Sequence, residues 1–206
     1  MKGKIILCIA LVLTNLAGFA QKQEGQYSLE ATYGGSFASK PSITQFGHYD
    51  LGIRYMFDPN WGIKFDFGHD KFRNDETPKQ GVDYTRLSLQ AVHNLGRTLN
   101  IPKATGGAVN ALAHAGLGLS VFKSTQQKTK DNMGNLIVGV TPQIYIFEDM
   151  SLQLDFSYVV NLLQHFDYDG TYHFEGAPKS FTGGHATASI GIIYYLGKRH
   201  SDYDWR

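Results

Sequence analysis

Eight histidines and eighteen Asp and Glu side chains are the groups in this 206-residue chain able to transfer protons, bind metal or activate a nucleophile. An acyl-transfer site would need a nucleophile, a positioned base and an oriented partner. His114, Ser120 and Asp155 are residue types that could supply these, but nothing in their placement indicates that they converge. Metal binding has two weak candidates, the segment 128–135 and the run Asp167-Tyr168-Asp169. Neither has calcium-loop spacing, and both read as solvated turns. Gly106-Gly107 lacks the lysine and the strand-to-helix setting of a phosphate loop. No catalytic, cofactor-binding or metal-ligating residue is therefore expected, and no cofactor. What remains is a set of charges of both signs: Glu30, Asp50, Arg54, Lys64, Asp66, Arg86 and Asp155. Arg54, Lys64 and Arg86 can face the four carboxylates across adjacent strands. Two opposite charges 4 Å apart attract by about 4 kcal/mol at an effective dielectric near 20, which offsets part of their dehydration cost. The expected role is structural, a paired network that closes a lumen; the functional alternative is a narrow ion path.

These charges alternate with apolar residues at period two, the signature of extended strands. The pattern predicts eight strands, at 27–38, 46–57, 61–71, 83–95, 111–123, 136–147, 150–162 and 183–197. Each exceeds the five or six residues usual in globular sheets and suits the roughly nine to eleven needed to cross a bilayer at a tilt. One face reads Leu51, Ile53, Tyr55 and Phe57 in the second strand and Ile63, Phe65 and Phe67 in the third, and continues in this way through Ile190 and Ile192. It contains no Asp, Glu, Lys or Arg. The other face carries the charges together with Thr32, His48, Ser88, Gln90, His114, Gln143, Gln153, His185 and Ser189, interspersed with glycines. An Arg or Lys near the bilayer midplane costs about 2–4 kcal/mol, so the uncharged face suits hydrocarbon, while the polar face fits the filled interior of an eight-stranded barrel. The fold expected is all-β, an eight-stranded antiparallel up-and-down transmembrane β-barrel. A soluble lipid carrier would reverse the faces, and the charged exterior it requires is missing.

Composition agrees. Only 18% of residues are charged, against about 25% in soluble domains, and a net charge of +1 lacks the basic footprint of a nucleic-acid binder. Lys2 and Lys4 precede the apolar run Ile5–Leu13, and the small residues Gly18 and Ala20 follow. Residues 1–20 thus read as a cleavable signal peptide, 21–197 as the barrel and 198–206 as a short periplasmic tail. The only cysteine, Cys8, lies inside the leader after Leu7, which argues against lipidation and leaves the mature chain without a thiol. After processing no stretch is apolar for eighteen residues, which excludes helical spans.

Tight turns at Asp58-Pro59-Asn60 and Glu148-Asp149 alternate with longer connections at 39–45, 72–82, 124–135 and 163–182. Outer-membrane barrels alternate periplasmic turns with longer external loops in this way. The connection 96–110, with Ile101-Pro102-Lys103 and Gly106-Gly107, breaks the alternation, being too long for a tight turn. Aromatics suggest interfacial girdles, with Phe57, Trp61, Phe147 and Tyr194 toward one rim and Tyr33, Tyr49, Phe72 and Tyr158 toward the other.

Four stretches carry a family resemblance: Ala113–Leu119, Asp131–Asn135, Gly139–Gln143 and Asn161–Gly170. With them the chain resembles the barrel portion of the OmpA-like eight-stranded outer-membrane barrels of Gram-negative bacteria, over most of the mature length. The final strand, Ser189–Leu196, resembles the signal read by the barrel-assembly machinery. The resemblance implies a cell outer membrane location, both termini periplasmic, and contact with outer-membrane lipids and lipopolysaccharide. Larger members continue into a peptidoglycan-binding domain; residues 198–205 look like the start of its linker, and the sequence stops at Arg206, so the barrel alone is expected. Some such barrels are enzymes on lipid A. The deacylase type places His two residues before Ser, and His185-Ala186-Thr187 has Thr instead. The reading is a non-enzymatic barrel with a structural or surface-interaction role, monomeric, with an external ligand not specified by the sequence. A small diffusion pore and a lipid A-modifying enzyme are the alternatives.

Overall fold

The structure, a computed structural model, describes residues 25–75, 78–147, 149–174 and 179–196. The expected leader and tail lie outside the described residues. Eight strands form a closed barrel: β1 (Gln26–Ser39), β2 (Ser42–Met56), β3 (Trp61–Arg73), β4 (Gly81–His93), β5 (Val109–Ser124), β6 (Lys130–Phe147), β7 (Met150–Gln164) and β8 (Phe181–Leu196). Each pairs antiparallel with its sequence neighbours, and β1 closes on β8. Closure leaves no free edge, the condition that a strand structure must meet in hydrocarbon. Among the described residues no helix is long and apolar enough to span a membrane.

All eight expected strands are present, and several run further than the apolar pattern does. β6 starts at Lys130 rather than at 136, because Lys130–Asn135 is paired with β5 although both of its faces are largely polar. β2 starts at Ser42 because a bulge shifts its phase: Gly34 pairs with His48 while Gly35 pairs with Phe46, leaving Gly47 extra at φ 140°. Glycine adopts that conformation without a Cβ penalty.

The long connection between β4 and β5 holds two single helical turns, α1 (Leu95–Thr98) and α2 (Ile101–Ala104). The Asn94 side chain caps α1 by accepting from the Arg97 N–H at 3.1 Å, and Pro102 starts α2. β4 and β5 remain hydrogen-bonded neighbours, so the insertion does not change the strand count.

Register fixes the dimensions. Stepping through paired residues from Gln26 by way of Met56, Gly62, Val92, His114, Gly139, Ser157 and Thr187 returns to β1 at Ser36, an offset of ten residues (36 − 26). With about 3.3 Å per residue and about 4.8 Å between strands, that stagger gives a tilt of about 40° and a backbone radius of about 8 Å. Such a cylinder has room for side chains and little else.

The two faces separate as the alternation requires. Phe65, Leu117 and Ile190 are 51%, 65% and 52% exposed on the outside, whereas Asp66 and Arg86 inside are 1% and 2% exposed. Of the aromatics expected at the rims, Phe72 is a correction. It is fully buried inside the barrel mouth, because it has the same parity along β3 as Lys64, Asp66 and Asp70.

Candidate functional site: a charged file beneath an aromatic plug

Six of the seven expected charged residues line one wall of the lumen, on β1 to β4. Arg54 Nη1 lies 2.7 Å from Glu30 Oε1, and Lys64 Nζ lies 3.0 Å from Glu30 Oε2 and 3.4 Å from Asp66 Oδ2. Arg86 Nη2 then bridges Asp66 at 3.0 Å and Asp50 at 3.2 Å. Residues not singled out from the sequence extend the file. His48 sets one ring nitrogen 3.0 Å from Asp50 and the other 2.8 Å from Asp70, which also accepts from the Ser36 hydroxyl. Only an imidazolium donates from both ring nitrogens, and in that form the file holds four cations against four carboxylates.

Two glycines make the file possible. In register, Gly52 lies opposite both Glu30 and Asp66, and Gly68 lies opposite both Asp50 and Arg86. A Cβ on Gly52 would come within 2.9 Å of Lys64 Cε, and one on Gly68 would meet the Asp50 carboxylate and Arg86 Nη2. The charged side chains lean over backbone that carries nothing.

Asp155 stands apart on the opposite wall. It accepts from Thr141 at 2.8 Å and Ser157 at 2.6 Å and faces His114 Nε2 at 3.1 Å, while His114 Nδ1 meets Gln90 at 2.6 Å. Ser120 lies six residues further along β5 than His114, about 20 Å at strand rise, so these three do not form a reaction centre. Nor does Ser36-Asp70-His48: a nucleophilic triad puts the imidazole between hydroxyl and carboxylate, whereas here the carboxylate is in the middle and both ring nitrogens are engaged. Among the described residues, no group of three or more His, Cys, Asp or Glu side chains could hold a metal ion.

Apolar clusters close both ends. At the turn end Met56, Val92 and Leu112 pack together. At the loop end Phe72, Tyr84 and Phe122 from the strands meet Phe166 and Tyr168 from the connection between β7 and β8, with Ala38, Ile43, Val82 and Met133. Tyr168 is edge-on to Phe72 at 4.6 Å and to Phe122 at 5.3 Å. Its hydroxyl accepts from Asn161 Nδ2 at 3.0 Å and lies 3.0 Å from His185 Nδ1. His185 is thereby enclosed by aromatic rings rather than facing lipid. Burial pushes the Tyr168 phenol well above its usual range, so it stays neutral.

The returning loop is tied down on three sides. Buried Asp131 accepts from the His165 and Phe166 N–H groups at 2.6 and 3.1 Å. Ser124 donates to the Gly170 carbonyl at 2.7 Å, and Gln126 to that of Asp169 at 3.0 Å. Asp167 faces His173 at 2.9 Å, and burial raises its carboxyl somewhat against that opposing contact.

No protein-family model and no curated protein matches this sequence. Among solved structures, the chain is similar to Neisserial surface protein A, with a TM-score of 0.54 and 12% identity over 84% of this chain and 97% of that one. It is also similar to a major outer membrane protein from Thermus thermophilus, with a TM-score of 0.54 and 12% identity over 84% of this chain and 100% of that one. At such identities the likeness is one of fold, and the fold is that of the eight-stranded outer-membrane barrels.

Proposed function

We propose that this chain is a non-enzymatic integral protein of the outer membrane, a closed barrel that holds its loops at the cell surface for contact with external ligands. Supporting the reading is a lumen filled at three levels: an apolar cluster at the turn end, the ion-pair file, and the Tyr168 plug at the loop end. The loop end faces outward, as longer loops do in this class of barrel. An exported chain would reach the membrane through the leader read at residues 1–20 and the assembly signal in Ser189–Leu196. The catalytic alternative has little to work with, since His114, His48 and His185 are each committed to buried partners.

Planar-bilayer recording of the refolded protein tests the closed lumen. The expected result is no steady high conductance, and a stable open channel in the unmodified protein would refute closure. Incubation with lipid A, followed by mass spectrometry, should leave the lipid mass unchanged; a lost or gained acyl chain would establish the enzyme instead.

A further inference from the structure

We propose that a side pocket at the loop end, between the β1–β2 turn and the start of β8, binds a small aromatic carboxylate from outside the cell. This rests on the surface-interaction reading above and names the class of ligand. Register makes the pocket. The ladder between β1 and β8 stops where Ala38 pairs with His185, because the chain turns at Lys40 and Pro41 into β2, while β8 begins already at Phe181. The first residues of β8 therefore lack a strand neighbour on one side, and two of them, Gly183 and Gly184, have no side chain to fill the gap. A cavity of about 290 Å³ results, about the size at which small-molecule sites begin.

The lining is selective. Backbone at Gly183 and Gly184 meets the rings of Tyr158, Tyr168 and Phe181. Bare peptide and aromatic rings favour a flat apolar body. Tyr158 lies across Gly184, its hydroxyl 2.9 Å from where a Cβ would stand, which brings that hydroxyl to the pocket. Among the lining residues only Lys40 is charged, and it is exposed. Among the described residues it has no ion-pair partner; the neighbouring carboxylate, Asp167, faces His173 instead. The hydroxyls of Ser39, Tyr158 and Thr182 likewise have no hydrogen-bond partner among the described residues. A carboxylate accepts from an ammonium and from hydroxyls at once. Tyr168 is both the inner wall of this pocket and the centre of the plug, and its backbone N–H donates to the Lys40 carbonyl at 3.4 Å. A ligand held between them would brace the plug from outside.

Calorimetric titration of the detergent-folded full chain tests this with three probes: indole-3-acetate, its uncharged amide, and decanoate. The unmodified protein should bind indole-3-acetate at one site per chain. At the strength of an exposed ion pair, the amide should bind about fivefold more weakly, and so should indole-3-acetate to Lys40→Gln. Decanoate should also be the weaker ligand. Lys40→Arg and Lys123→Gln, the latter across the rim on β5, should bind normally, and Thr182→Trp, which fills the pocket from an exposed position, should abolish binding. Hydrogen exchange at the Tyr168 amide should slow when the acid is bound. Absence of binding, equal binding of the amide, tighter binding of decanoate, unchanged affinity in Lys40→Gln or Thr182→Trp, or unchanged exchange at Tyr168 would overturn the proposal. Insertion into lipid vesicles, read as a shift in mobility between unboiled and boiled samples, separates the two layers. A chain that does not insert removes the outer-membrane reading along with this one; a chain that inserts but ignores the acid removes this one alone.

Discussion

Replacing Arg86 with methionine is expected to destabilise the folded barrel by about 3–5 kcal/mol, the usual result of removing one partner from a buried ion pair. Arg86 is 2% exposed and is the guanidinium shared by Asp50 and Asp66. Without it Asp66 keeps only Lys64, at 3.4 Å, and the Ser88 hydroxyl at 3.0 Å. Asp50 keeps only His48. The loss comes from carboxylates left dehydrated, so adding Asp66→Asn to Arg86→Met should recover part of the stability even though it removes a further charge. Urea unfolding of the vesicle-inserted protein measures both. A loss below about 1 kcal/mol for the single variant, the range of exposed pairs, would mean that the file is hydrated rather than sealed.

An arginine on the outside should do comparable damage for the opposite reason. Leu117 is 65% exposed, in the middle of β5, and its register neighbours Leu89 and Leu136 are also outward and apolar. In water such a site would accept arginine with almost no change, within about 0.5 kcal/mol. In hydrocarbon near the midplane Leu117→Arg should cost about 2–4 kcal/mol. Asn132→Arg, at an exposed position near the loop end of β6, should cost about 1 kcal/mol or less. Urea unfolding from vesicles again gives the comparison, and equal tolerance at both depths would contradict a lipid-facing surface.

The fold is legible because a membrane barrel writes its inside and outside into alternate residues. Phe65 and Asp66 are chain neighbours on opposite faces of the wall, one outward and one in the lumen, so parity alone assigns them. Much of the charged file follows, since Glu30, Asp50, Arg54, Lys64, Asp66 and Arg86 share the inward phase. Parity does not say which charge meets which. That depends on the ten-residue stagger and on Gly52 and Gly68, which open diagonal paths between strands. Sign alone groups Asp155 with the cations, whereas stagger places it against His114. Ser36 and Asp70 carry the right parity, but nothing local marks them as partners of His48.

The plug is hidden for another reason. Phe72, Tyr84 and Phe122 are apolar residues on the polar phase, where residue type and parity give opposing advice; for Phe72 residue type points to the rim and parity, which prevails, to the interior. Phe166 and Tyr168 lie in a connection whose neighbours are polar, and their burial depends on a loop that turns back into the mouth through contacts with Asp131, Ser124 and Gln126. No local pattern encodes that return.

The central claim is that the greasy wall of this cylinder touches lipid and its charged wall touches itself. The described barrel, 25–196, contains no cysteine, so single cysteines can carry an environment-sensitive fluorophore one at a time. In vesicles of lipids brominated along their acyl chains, label at Leu117→Cys and at Ile190→Cys should be strongly quenched, and Gln90→Cys and Ser189→Cys, buried in the lumen, should not take up the label in the folded barrel. Labelling and quenching at the second pair with neither at the first would turn the barrel inside out and contradict the account.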